Sequence, residues 1–153
     1  MKRTVQKYVL LLWSMNNYSF EFIDVKIPDF NSEFFVLWLN EVLSRYGKEP
    51  GDIAYYFCSD EKLLSLNNEI LNHDFYTDII TLDFVVGDIV SGELYISYDR
   101  IIDNAKEFGN GYVFDELCRV MVHGVLHLVG FNDKSEEDQK LMREEETKNL
   151  ILR

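Results

Sequence analysis

The segment DELCRVMVHGVLHLVG, residues 115–130, constrains this chain more than any other stretch. Leu117, Val120, Met121, Val125 and Leu128 recur at three and four residue intervals, which makes one apolar face of an α-helix. Asp115 is an acidic start and Gly130 a stop, because glycine enters the left-handed turn that closes many helices at little cost. An apolar face that wide has to be covered, so the remaining sequence must build a core around this helix. Two of the chain's three histidines, His123 and His127, sit four residues apart on it.

The covering elements can be read in order. Alternation in YSFEFIDVKI, residues 18–27, places Phe20 and Phe22 in a period of two and predicts a strand. After Pro28-Asp29, the residues Phe35, Leu39, Val42, Leu43 and Tyr46 recur at helical intervals, and Gly47 ends a core helix over about 32–46. DIAYYFCS, residues 52–59, is aromatic enough for a strand, and Ser59 or Asp60 caps a helix that runs through Leu63, Leu64 and Leu66 to about Leu71. DIITLDFVV (78–86) and ELYISYD (93–99) predict a hairpin joined by GDIVSG, a six-residue connection with glycine at both ends. Ser97 or Asp99 caps a helix through Ile101, Ile102 and Ala105 to Phe108, stopped by Gly109. SEED, residues 135–138, reads as the capping box of a last helix rich in Glu and Lys.

The order βαβαββααα, with no repeat and no linker, predicts an α+β fold: a single domain in which helices pack on a mixed four-stranded sheet. That domain is expected over 18–153, behind an N-terminal extension over 1–17. The extension carries an apolar run too short to span a membrane and no small-residue cleavage site, so a weak strand or a poorly ordered tail is expected, and no membrane association. Met15, just before the first strand, is a candidate translation start.

Composition narrows the chemistry. Cys58 and Cys118 lie sixty positions apart without CxxC spacing, as expected of reduced interior thiols in a cytoplasmic protein. A formal net charge of −12 excludes a protein that holds nucleic acid by bulk attraction, since phosphate binding needs clustered Lys and Arg. Any nucleic-acid activity requires either a narrow basic groove, near Lys106, Arg119 and Lys134, or delivery by a partner.

Positions four apart share a helix face, so His123 and His127 can present two imidazole nitrogens to one ion. Asp133 follows six residues after His127, just past the Gly130 bend, with a carboxylate able to complete a three-ligand site. Three ligands without cysteine leave a fourth position open, as catalytic zinc does. The plainer alternative is a pair of incidental histidines, one packed and one exposed, with Asp133 capping a loop.

HGVLHLVGFND, residues 123–133, is similar to the HGxLHLxGYDH signature of the YbeY family. LNNEILNHDFYTDIITLDF, residues 66–84, resembles that family's LNxxYRxKDxPTDVLSF segment, with GELYIS between the two blocks. The resemblance runs from Tyr18 onward. It implies a zinc-dependent, single-strand-specific endoribonuclease of the cytoplasm, on a fold with a metalloproteinase-like motif helix, acting on ribosomal RNA in 16S rRNA 3′-end maturation and ribosome quality control. It also implies Zn2+ held by His123, His127 and the residue at 133, with a ribosomal protein as a further partner.

Three departures from the pattern matter. Asp133 stands where the family usually has His, which keeps a competent ligand but makes the site less positive. Leu71 falls at the family's arginine, and His73 where lysine is usual. His73 is therefore a candidate catalytic residue, contacting phosphate or shuttling a proton; the alternative is a histidine that buttresses a polar loop. Thr77 and Asp78 match the family's TD pair, and Asp78 either orients a histidine or initiates a strand. Asn67 matches as well.

Gly124 occupies the place at which HExxH peptidases carry their general base, so peptide hydrolysis is disfavoured. Phosphodiester hydrolysis has less need of that carboxylate, because a metal can both acidify water and neutralise a phosphoryl oxygen. A noncatalytic, metal-stabilised ribosome-assembly module is the second reading, and a metal-dependent hydrolase of another substrate the third.

Overall fold

A computed structural model describes residues 17–73 and 76–153; of the expected N-terminal extension, only Asn17 lies among them, and Met15 lies outside. In chain order the elements are β1 (Tyr18–Phe22), α1 (Ser32–Arg45), β2 (Glu49–Cys58), α2 (Asp60–Leu71), β3 (Ile79–Asp83), β4 (Ile89–Ser97), α3 (Tyr98–Glu107), α4 (Val113–Val129) and α5 (Glu136–Leu150). The sheet order is β1-β2-β4-β3, with β1, β2 and β4 parallel and β3 antiparallel to β4. This is the α+β domain with a mixed four-stranded sheet that the sequence predicts.

Local chemistry sets most boundaries. Asn31, Ser59 and Ser97 each accept a hydrogen bond from the backbone N–H three residues on, at 3.1, 3.2 and 3.2 Å, and start α1, α2 and α3. Ser135 and Asp138 form the expected reciprocal box at the start of α5. Several boundaries differ from expectation: β1 stops at Phe22 rather than Ile27, β2 starts at Glu49 rather than Asp52, and β3 ends at Asp83 rather than Val86. The motif helix α4 begins at Val113, not at Asp115: the chain turns at Gly111 (φ 85°), Asn110 Oδ1 accepts from the Tyr112 N–H at 3.1 Å within that turn, and the helix starts without a side-chain cap. Asp115 pairs instead with Arg153, at 3.0 Å.

The hairpin also closes earlier than the two glycines imply. β4 starts at Ile89, so Gly92 lies inside the strand, opposite Asp83 and Ile53. Its reason is packing: a Cβ there would stand 2.7 Å from the Leu82 carbonyl oxygen and 2.9 Å from Leu128 Cδ1.

One face of the sheet, formed by Ile53, Tyr55 and Phe57 of β2 with Val90, Leu94 and Ile96 of β4, is covered by Phe35, Leu39 and Leu43 of α1 and Met121, Val122 and Val125 of α4, all buried. A smaller cluster of Cys58, Leu63 and Ile80 brings α2 against the sheet. Two buried hydrogen bonds then fix the helices that carry the site. The Tyr55 hydroxyl donates to the Met121 carbonyl at 3.0 Å, pinning α4 to β2. Trp38 Nε1 donates to the Asn149 carbonyl at 2.9 Å, pinning α5 to α1. Asn149 Nδ2 in turn donates to the Tyr46 hydroxyl at 2.7 Å, and that hydroxyl donates to Glu145. Burial, then the Glu145 bond, pushes the Tyr46 hydroxyl up to about 12.

Candidate metal centre

His123 and His127 leave the same face of α4, with their Nε2 atoms 3.0 Å apart and the rings nearly perpendicular at 85°. Gly130, at φ 121°, ends the helix where a side chain would be strained, and the Gly130 and Phe131 N–H groups return to the Leu126 carbonyl. That turn brings Asp133 back over the helix end. Its Oδ2 lies 3.4 Å from His123 Nε2 and 3.3 Å from His127 Nε2.

The ring hydrogens follow from the outer contacts. His127 Nδ1 is 2.9 Å from the Phe131 carbonyl oxygen, which can only accept, so Nδ1 is the donor. His123 Nδ1 is 3.1 Å from Glu146 Oε2, a carboxylate acceptor, and is the donor for the same reason. With both neutral rings protonated at Nδ1, two Nε2 lone pairs and a carboxylate oxygen face one another with no donor between them. Such a triangle of acceptors suits a bound cation.

Zinc bonds to nitrogen and oxygen in a tetrahedral site put ligand atoms about 3.3–3.4 Å apart, as the two edges to Asp133 are, while the edge between the imidazoles is shorter at 3.0 Å. The donor set of two imidazoles, one carboxylate and no thiolate also matches a site with an open position. On geometry and donor chemistry, these residues fit a divalent metal.

A network stands behind the triangle. Glu146 is buried on α5, and its second oxygen accepts from Arg119 Nη1 at 3.1 Å. Arg119 also donates from Nε to Glu116 at 2.9 Å and lies 4.0 Å from Asp78. The Glu116 bonds push the guanidinium pKa further up, so Arg119 stays charged and neutralised by carboxylates. A cavity of about 260 Å³ opens beside the triangle, lined by Arg119, His123, Asp133, Met142, Arg143 and Glu146 among others.

The other sequence candidates fall elsewhere. His73 is exposed just past Asn72, the left-handed end of α2, and its N–H donates to the Asn67 carbonyl at 3.2 Å; it is not among the described residues that line the cavity. Asp78 meets Arg119 rather than a histidine, and its carbonyl receives the Ser97 N–H at 3.0 Å. Thr77 Oγ1 donates to the Ile79 carbonyl at 3.2 Å. Of the three cations expected to form a basic groove, Arg119 is enclosed by acids, and neither Lys106 nor Lys134 lines the cavity.

The sequence reading missed Glu146. Its only signal is helical spacing with Met142 and Asn149, the inward face of α5, and nothing local separates it from the other glutamates there. Gly124 also has a role beyond lacking a carboxylate. A Cβ at 124 would stand 2.2 Å from Leu94 Cδ2 and 2.8 Å from Ile79 Cδ1. The position faces the sheet.

Fold and site together define an α+β domain whose motif helix and following turn converge two imidazoles and a carboxylate. The family model described as Endoribonuclease YbeY matches residues 19–151. A protein named Endoribonuclease YbeY from Bacteroides thetaiotaomicron is 50% identical over 129 residues, covering 84% of this chain and 93% of the relative. One of the same name from Phocaeicola vulgatus is 46% identical over 134 residues, covering 88% of this chain and 96% of that protein. The solution structure of a Thermotoga maritima protein superposes with a TM-score of 0.58 at 26% identity, covering 87% of each chain. The chain belongs to the YbeY family.

Proposed function

We propose that this chain is a zinc-dependent, single-strand-specific endoribonuclease that acts on ribosomal RNA in the cytoplasm, in 16S rRNA 3′-end maturation and ribosome quality control, with residues 18–153 as the hydrolase domain. Membership of a family whose relatives are named endoribonucleases supports the reaction class. The observation that carries the reading is the triangle of His123 Nε2, His127 Nε2 and Asp133 Oδ2, three acceptors aimed at one point beside an open cavity.

In this reading His123, His127 and Asp133 hold the ion, which supplies positive charge for a phosphoryl oxygen and acidifies the water it touches. Glu146 and the Phe131 carbonyl hold the two imidazoles in the tautomer that frees Nε2, so the ligand set is oriented before substrate arrives. Asp133 gives the site one more negative charge than a third imidazole does, which favours a divalent cation and opposes an anionic substrate. No carboxylate is available at position 124, because that position is packed against Leu94 and Ile79. His73 is proposed as a second contact, touching phosphate or shuttling a proton; His73→Ala at wild-type cleavage rate removes it from the scheme.

A net charge of −12 repels RNA at long range, and Arg119 is already neutralised. A ribosomal protein is therefore proposed to deliver the substrate. The same acidity favours the second reading, a metal-stabilised assembly module without turnover.

Metal analysis of the protein, paired with cleavage of single-stranded ribosomal RNA by wild type and His127→Ala, tests both. Zinc and cleavage lost together in His127→Ala support the enzyme. Cleavage that persists without metal overturns it. Metal binding with a raised melting temperature but no turnover in wild type supports the module.

A further inference from the structure

The geometry points to Arg143 as the residue that contacts the substrate phosphate at this site, with Lys140 holding the next phosphate along the strand. The assignment rests on the endoribonuclease reading above. Arg143 lies on the exposed face of α5 and lines the cavity that His123 and Asp133 also line. Among the described residues its guanidinium has no ion pair, hydrogen bond or ring contact.

The contrast with Arg119 decides the choice. Both arginines line the cavity, but Arg119 is bonded to Glu116 and Glu146 and lies within 4.0 Å of Asp78. A phosphate that recruited Arg119 would have to displace those carboxylates, one of which also orients His123. Arg143 has no carboxylate to give up, and its planar fork of donors suits two phosphate oxygens at once.

The cavity, at about 260 Å³, has room for several waters and so for a phosphodiester group. Asp133 and Glu146 make its wall acidic, so an entering phosphate needs an uncommitted cation there. Arg143 also lines a second hollow with Lys140, Glu144, Thr147 and Lys148 of the same helix. Lys140 is exposed and, like Arg143, makes no ion pair among the described residues. The two cations lie three residues apart on one helix face, where successive phosphates of a strand could meet both.

Zinc-loaded protein and a short 2′-O-methyl single-stranded RNA carrying a fluorophore, read by anisotropy across salt, test the assignment. Each lost phosphate contact makes the slope of log affinity against log salt shallower by about 0.7 for single strands. Arg143→Gln is expected to lose that much slope and to lower kcat/KM on unmodified RNA by about tenfold, while zinc content and Tm stay at wild-type values. Arg143→Lys is expected to keep most of the slope but not the full rate. Lys140→Gln is expected to lose slope and raise KM with kcat unchanged, and Lys26→Gln serves as the control for loss of one surface charge.

A wild-type slope in Arg143→Gln overturns the assignment, as does loss of zinc from that variant, which would make Arg143 a support of the metal site. If those results accompany normal RNA cleavage by wild type, only the Arg143 assignment fails. If wild type neither binds nor cuts RNA, the endoribonuclease reading fails and takes the assignment with it.

Discussion

Glu146 on α5 reaches across to α4 and places Oε2 3.1 Å from Nδ1 of His123, while its other oxygen is 3.1 Å from Arg119. One buried carboxylate thus sets the tautomer of an imidazole and neutralises a guanidinium. The chain brings it there through a relay of its own: Trp38 and Tyr46 hold Asn149 one turn further along α5, and the helix is locked in rotation.

Replacing Glu146 should therefore be felt at the metal before it is felt in the fold. Glu146→Gln keeps the shape and an acceptor but loses the charge, and is expected to weaken zinc binding by about 10–100-fold. Competition against a chromophoric chelator measures this directly. Glu146→Ala should also lower Tm, because Arg119 loses one of its carboxylates. Unchanged zinc affinity in Glu146→Gln would show that His123 is oriented by its backbone alone.

Gly124 lets α4 approach the sheet. A methyl group there collides with Leu94 and Ile79, at a cost of about 1–3 kcal/mol for overpacking, offset by about 1 kcal/mol of helix propensity. Gly124→Ala is expected to be destabilising by roughly 1 kcal/mol in urea unfolding. Shortening the partner makes room, so Gly124→Ala with Leu94→Ala should be less destabilised than the sum of the two single changes. Strict additivity would mean that the close approach carries no strain.

The two thiols give a pH dependence with a definite sign. Burial pushes Cys118 up to about 11 and Cys58 up to about 12. In the unfolded chain a thiol titrates near about 8.5, so the folded state holds these protons more tightly. Their stabilising contribution is complete below about pH 8.5 and is lost as pH rises through the folded values, by at most about 1.4 kcal/mol per pH unit for each thiol. Between about pH 8 and about pH 9, below the range in which unfolded tyrosines ionise appreciably, the urea midpoint is expected to fall, and Cys118→Ala to fall less steeply. A midpoint independent of pH in that window contradicts the assignment. Slow labelling by iodoacetamide in the folded state is the companion observation.

What was legible in the sequence was local. Ser59, Ser97 and the Ser135–Asp138 pair cap their helices through bonds spanning three residues, and such patterns survive without knowledge of the fold. His123 and His127 are four apart on a helix, and Asp133 follows a glycine turn, so their convergence is again a short-range matter.

What was not legible depended on partners far away in the chain. Gly92 resembles a turn residue until Leu128 and the Leu82 carbonyl are seen pressing on it. Glu146 and Arg143 sit in a helix crowded with similar residues, and only the packing of α5 on α4 sets the carboxylate that meets His123 and the arginine that lines the cavity apart from the rest. Asp78 has two readings in the sequence, orienting a histidine or initiating a strand; it stands just before β3, with its carbonyl bonded to Ser97 N–H and its carboxylate 4.0 Å from Arg119.

Seated against Leu94 and Ile79, Gly124 also bears on ancestry and redesign. In a lineage carrying this helix, a peptidase's glutamate at this position would first meet the ends of the Leu94 and Ile79 side chains, which would have to shift to admit it. Any drift toward peptide bonds would therefore involve repacking those two side chains as well as gaining a base, so carpentry and reactivity are linked at this one position.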